Sequence, residues 1–230
     1  MNIVELLRKN INTDYYLSDE DQIILKDVGT SISVSPSSLV TTAKKIRKNG
    51  QEVNQLFIEI FQLVDNMHQD WQGESYQKVR RDFNTLVVSI NKIDKFIVEE
   101  IPTTLEKVAN RFSNADEKGD ITKVGTDTAI NVTMLLASKD SGLRFIPNKV
   151  DDTKNLLVEK FEQAKEEITK IIKLMMEIGW SDNSQVVFTK VFEIVTLNTT
   201  NSFNEVIQKL NRHIKEQITA MEKLESANMF

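Results

Sequence analysis

The sequence predicts an all-α protein built from two similar helical hairpins. Three observations carry that prediction: apolar residues recur at steps of three and four over long stretches, Gly (7) and Pro (3) are scarce among 230 residues, and a tryptophan marks the turn of each hairpin. Steps of three and four line up side chains on one face of a helix, and a strand, with its period of two, cannot produce them. Scarce Gly and Pro leave few places for the turns that a β fold needs.

The first helix starts at Ser35-Pro36-Ser37, because Pro suits the first helical turn and Ser caps it. Its apolar seam runs Leu39, Ala43, Ile46, Val53, Phe57, Ile60, Val64, Met67 and Trp71, with Gly50 in the one missing seam position. After Gly73 the pattern resumes at Tyr76, Val79, Phe83, Leu86, Ile90, Ile93 and Ile97. It then passes through Ile101, Leu105, Val108 and Phe112, with two consecutive steps of four. Pro102 sits at that change of step and cannot donate a backbone hydrogen bond, which predicts a kink or a break into two shorter helices.

Residues 117–146 read as a linker, interrupted by Gly119, Gly125 and Gly142, in which Thr128–Ser138 is open to a short helix or strand. The third helix starts near Asp151-Asp152-Thr153, good first-turn residues, and its seam is Leu157, Phe161, Ala164, Ile168, Ile171, Met175 and Ile178. The fourth follows Ser181-Asp182-Asn183-Ser184 and carries Val187, Val191 and Ile194. Asn198, Thr199, Thr200 and Asn201 then interrupt its face, which predicts a local kink, the alternative being a site where a partner or water satisfies the Asn side chains. The seam returns at Val206, Leu210, Ile214, Met221 and Leu224.

The two turns are alike. The first reads His68-Gln69-Asp70-Trp71-Gln72-Gly73-Glu74-Ser75 and the second Glu177-Ile178-Gly179-Trp180-Ser181-Asp182-Asn183-Ser184. A proline, Pro36 or Pro147, stands about 35 residues before each Trp, so the halves read as an internal repeat. Gly at such a turn takes a positive φ and lets the chain reverse, while the Trp closes the apolar seam.

Charge and composition exclude several functions. The 29 basic and 34 acidic residues are intermixed, leaving a net charge of −5 and no basic stripe for nucleic acid. Cysteine is absent, which removes disulfides, thiolate metal sites and a Cys nucleophile. The start, MNIVELLRKN, lacks a basic region followed by an apolar one, so no ordinary signal peptide is expected, and no apolar run approaches about 18 residues. His68 and His213 are the only histidines and lie far apart, against a metal site. Glu99-Glu100 and Glu166-Glu167 lie among lysines and read as solvated faces, as does Lys44-Lys45-Ile46-Arg47-Lys48. No phosphate loop, nucleophile elbow or dinucleotide fingerprint occurs, so no enzyme and no cofactor is expected.

Trp71-Gln72-Gly73, flanked by long amphipathic helices over residues 32–116, resembles the WXG family of helical hairpins exported by type VII secretion systems. Residues 147–230 look like a degenerate second copy, whose Trp180-Ser181-Asp182 lacks the third-position Gly, although Gly179 precedes the Trp. The resemblance implies a tandem protein with an N-terminal extension over residues 1–31, a hairpin over 32–116, a linker over 117–146 and a second hairpin over 147–230. Family hairpins pair antiparallel, so a fused pair implies an antiparallel four-helix bundle, a pseudo-dimer within one chain. Length permits it: helices of about 35–40 residues span about 55 Å, and the stretch from Ser113 to Pro147, about 35 residues, reaches about 110 Å when fully extended.

The family's export signal is a Tyr followed four residues later by an acidic residue. Phe112 and Asp116 stand in that arrangement, with Phe in place of Tyr. The resemblance thus implies a non-enzymatic protein, secreted without a cleaved signal peptide or cytoplasmic before export. It would act by helix-face recognition of a secretion-system component or another helical protein, as a monomer with an internal pseudo-dimer or as a homodimer. Trp71, Gly73, Trp180 and the Phe112/Asp116 pair are the anchors it suggests. The residues leave open an intracellular coiled-coil scaffold and, against the mixed charge, a membrane-active helical toxin.

Overall fold

The computed structural model describes residues 35–137, 142, 144–178 and 183–227. The expectations for residues 1–31, for Trp180-Ser181-Asp182 and for the side chains of Val187, Val191 and Ile194 lie outside the described residues. In chain order the elements are α1 (Pro36–Asn66), a short 3₁₀ turn (Met67–Gln69), β1 (Trp71–Gln72), α2 (Glu74–Asn84), α3 (Val87–Lys95), one turn of π-helix (Phe96–Glu100), α4 (Ile101–Ala115), β2 (Arg144–Phe145), α5 (Pro147–Met176) and α6 (Asn183–Ala227). The chain is mostly helical, as the apolar rhythm requires.

Two compact units are distinguished. One takes the chain up to Gly50 together with Phe96–Thr128 and Ile168–Thr196; the other takes Gln51–Lys95, Ala129–Glu167 and Leu197 onward. Neither coincides with a hairpin, because each draws segments from both halves of the sequence.

In the first unit Leu39, Ala43 and Ile46 of α1 are buried with Ile97, Ile101, Leu105 and Ala109, and with Ile168, Ile171 and Met175 of α5. Phe96 and Phe192 bring their rings to 5.6 Å. In the second unit an aromatic chain links four helical segments: Phe61 meets Phe83 edge-on at 6.2 Å, Phe83 meets Phe203 at 6.2 Å, and Phe203 stacks on Phe161 at 3.7 Å. Edge-on and stacked rings add to the stabilisation from area burial alone. Val53, Ile60, Val79, Ile90, Leu157, Val206 and Leu210 fill the space around them.

The structure departs from the predicted helices in three places. The second predicted helix is broken at Thr85-Leu86, where Thr85 N–H turns to the Asp82 and Phe83 carbonyls and Leu86 N–H to that of Phe83. Near Pro102 the chain makes neither a plain kink nor a clean break. Pro102 removes the N–H that Val98 would accept in an α-helix, and the turn before it widens into the π form. That wide turn rotates the buried face, so Ala109 and Ser113 are buried where the rhythm pointed to Val108 and Phe112, which are half-buried.

The third departure is in α6, which stays helical through Asn198–Asn201. Thr199 and Phe203 carry the buried face across the polar gap, while Asn198 and Asn201 face solvent. The seam also ends earlier than predicted, since Met221 is half-buried and Leu224 is exposed.

Gly50 holds the empty seam position for a local reason. A Cβ there would lie 2.9 Å from the Ile97 carbonyl oxygen and 3.0 Å from its carbonyl carbon. Only glycine lets the α1 backbone approach the π turn so closely.

Candidate functional site

The corner that the sequence singled out lies in the second unit. After the 3₁₀ turn the chain extends through Trp71 and Gln72, which pair antiparallel with Phe145 and Arg144, and Ile146 N–H donates to Asp70 O at 2.9 Å. Gly73 follows with φ 101° and caps α2, a backbone conformation that a side chain would strain. Trp71 is fully enclosed: its ring meets Phe145 edge-on at 5.2 Å and lies 6.3 Å from Tyr76. Among the described residues the indole N–H is buried without an acceptor.

Tyr76 ties the corner together. Its buried hydroxyl donates toward Val64 O (2.8 Å) and Asp65 O (3.0 Å) and accepts from Arg80 Nη1 (2.9 Å). Arg80 Nη2 donates to Asp65 Oδ1 at 2.7 Å. Burial pushes the Tyr76 phenol up to about 12, against the pull of the Arg80 cation. It therefore remains a hydrogen-bond donor throughout the physiological range. His68 Nδ1 lies 2.7 Å from Asp65 O, and His213 pairs with Asp82 at 3.2 Å. Both histidines are thus engaged by carboxylate or carbonyl oxygen. Among the described residues no three metal-ligating side chains converge, and no helix is long and apolar enough to cross a membrane.

The sequence did not reveal what the linker does. Residues 117–137 have no helix, and five of them, Ile121, Thr122, Ile130, Val132 and Leu135, are held by asparagine side chains that lie within helices. In the first unit Asn110 Oδ1 accepts from the N–H groups of Ile121 and Thr122, both at 3.1 Å, and its Nδ2 donates to Thr122 O at 2.8 Å. In the second unit each of three residues is gripped at both backbone groups. Ile130 is held by Asn54 (2.9 and 2.8 Å), Val132 by Asn91 (2.8 and 2.9 Å) and Leu135 by Asn84 (2.7 and 3.0 Å). A carboxamide carries an acceptor and a donor side by side, so one Asn satisfies both the N–H and the C=O of the residue it holds.

Asn54 also donates to Asp94 Oδ2 at 2.8 Å. Burial pushes the Asp94 carboxyl up to about 7, although the hydrogen bond from Asn54 works in the opposite direction. The neighbouring sequence signal was polar residues on otherwise regular helices. Asn is a poor helix former, and Asn54 and Asn110 are buried, so each requires a partner from elsewhere in the chain.

The first unit anchors the linker by charge as well. Arg47 grips Glu106 with two nitrogens (2.7 and 2.9 Å) and reaches Asp127 at 3.1 Å, while Gly125 N–H donates to Glu106 Oε2 at 2.8 Å. Burial works to raise the Glu106 carboxyl, but the Arg47 guanidinium and the Gly125 N–H outweigh it and hold it below the usual range. Arg47 therefore leaves the basic cluster read as a solvated face. Gly125 lies flat against that guanidinium, where a Cβ would come within 2.5 Å of Nη2.

Phe112 and Asp116 lie one turn apart at the C-terminal end of α4, with Asp116 N–H donating to Phe112 O at 3.3 Å. Phe112 is half-buried and Asp116 exposed. The chain leaves the helix through Glu117, at φ 61°, with Lys118 N–H reaching back to Ser113 O and Glu117 N–H to Asn114 O, a Schellman ending.

No curated protein and no solved structure matches the chain. Residues 31–117, with Trp71-Gln72-Gly73 near their centre, match the family model WXG100, proteins of 100 residues with WXG, a family of helical proteins associated with type VII secretion.

Proposed function

We propose that this chain is a tandem WXG protein handled by a type VII secretion system and acting through protein–protein recognition without catalysis. The observation that carries the reading is the match over residues 31–117 centred on a corner where Gly73 needs its positive φ. On this reading residues 1–31 are an extension, 32–116 the first hairpin, 117–146 the linker and 147–230 the second hairpin. The two hairpins form an antiparallel four-helix bundle, a dimer made within one chain. Two facts support the duplication: α5 and α6 are long helices on either side of the second Trp, and each compact unit draws on both halves.

Phe112 and Asp116 serve as the export signal, held on one side of a helix end by their spacing. Trp71, Gly73, Trp180 and Asp182 shape the two turns. Apolar side chains left on the surface of α6, Leu197 and Leu224, are available for a partner helix or secretion component. The protein is expected in the medium of a host with a working type VII system. Its loss from the medium when Phe112 and Asp116 are both changed to Ala, with the cellular pool intact, supports the signal. Continued export of that variant removes the signal, and retention of the unaltered protein in such a host favours an intracellular scaffold.

A further inference from the structure

Three asparagines hold the linker alike in the second unit, but one of them rests on a carboxyl group. Asn54 accepts from Ile130 N–H at 2.9 Å and donates to Ile130 O at 2.8 Å, and its amide also donates to Asp94 Oδ2 at 2.8 Å. Asn91 and Asn84 grip Val132 and Leu135 in the same way, with no carboxyl bonded to either clamp among the described residues.

Asp94 is fully buried, and among the described residues its Oδ1 has no hydrogen-bond partner. Asn54 has no further hydrogen to give, since a side-chain amide carries two. No charge relieves the site either. Residues 129–137 carry none, while Lys92 and Lys95 near Asp94 on α3 and Glu52 near Asn54 on α1 are exposed. Among the described residues only burial and the Asn54 amide act on the ionisation of Asp94. A buried carboxylate with a single donor is costly, so the neutral acid is the form this site accepts. An ionised Asp94 needs water, yet α1 and α3 are fixed by their own backbone ladders. Ile130 is held differently. It lies outside any helix, is 64% exposed, and has both backbone groups on Asn54. It is the neighbour that gives way at least cost.

We propose that Asp94 is a pH-sensitive latch on the linker: its ionisation, transmitted through Asn54, frees Ile130 while Asn91 and Asn84 keep Val132 and Leu135. Two environments set the direction. With the latch closed, burial pushes the carboxyl up to about 7, and open to water it returns to about 3.8. Below both values it is neutral either way, and above both it is ionised either way. Between them only the open form gives up its proton, so opening gains about tenfold per pH unit. The linker is gripped in acid and let go toward neutral pH. This inference stands apart from the secretion reading, since it concerns only groups within the second unit.

Native-state hydrogen exchange of the full-length protein, followed by NMR from about pH 5 to pH 8 and corrected for the intrinsic rate, tests the latch. Protection of the Ile130 amide should fall about tenfold per unit up to about pH 7 and then level off, with Val132 and Leu135 unchanged. Asp94→Asn still accepts from Asn54 and should hold Ile130 flat across the range. In the unaltered protein the Asp94 carboxyl carbon should titrate where the Ile130 profile levels off, a readout that does not depend on the variant folding. A flat profile at Ile130, a slope there that survives Asp94→Asn, or an Asp94 carboxyl that titrates in the ordinary carboxylate range overturns the proposal. So does an equal fall at Ile130, Val132 and Leu135, which would place the opening in the whole fold and not at the latch.

Discussion

Replacing Gly50 by Ala sets two effects against each other whose sizes can be compared. Gly50 lies in the interior of α1, where Ala is favoured over Gly by about 1 kcal/mol. At an open site the substitution would therefore stabilise the protein. Here the new methyl would meet the Ile97 carbonyl oxygen at 2.9 Å, its carbonyl carbon at 3.0 Å and its Cγ1 at 3.1 Å. Two of those atoms belong to the backbone of the π turn and cannot rotate aside, and the Ile97 side chain is itself fully buried. Forcing a methyl into a packed interior costs about 1–3 kcal/mol. The clash should win, for a net loss of about 1 kcal/mol or more. In a chain of this size that lowers Tm by about 2–4 °C for each kcal/mol. Urea unfolding followed by circular dichroism, with an unchanged m-value, reads the difference. A gain of about 1 kcal/mol, the bare helix propensity, would refute the close approach of α1 to the π turn.

Two further outcomes follow from the held linker. Asn91→Asp keeps the acceptor for Val132 N–H but places a second oxygen against Val132 O, now without a donor. Amide exchange at Val132 should quicken at least tenfold and global stability fall by about 1–2 kcal/mol; unchanged exchange would show that the clamp carries no energy. Asp94 makes stability depend on pH with an unusual sign. Its folded pKa of about 7 lies above the unfolded value of about 3.8, so between those limits the unfolded chain has lost a proton that the folded one keeps. Its contribution is therefore greatest below pH 4 and is lost as pH rises to 7, by an amount on the order of 4 kcal/mol. Asp94→Asn should flatten that slope in urea titrations at pH 4–8, and a slope equal in both proteins would contradict it.

The helical rhythm was legible because burial of apolar faces is a periodic demand that a single sequence displays. Every predicted seam position from Leu39 to Trp71 and from Leu157 to Ile178 is buried. The rhythm misled where the backbone changed its own period. The π turn at Phe96–Glu100 rotated the face away from Val108 and Phe112, and no side-chain pattern announces a change in backbone hydrogen bonding. At Thr199 the opposite occurred, since a hydroxyl group can lie in a helix face by bonding locally and need not break it.

From the chain alone came the helix class, the place of the first corner and the glycine it needs, because each rests on local properties: periodicity, a fixed or free φ, a large apolar ring. What only the tertiary structure decided was the partnership of groups distant in sequence. Trp71 became enclosed when Phe145 paired beside it, Arg47 left the solvent for Glu106, and Asn54, Asn84, Asn91 and Asn110 came to hold the linker at its backbone. A hydrogen bond needs its donor and acceptor within about 3 Å, and which groups meet at that distance is set by the packed helices, not by spacing along the chain.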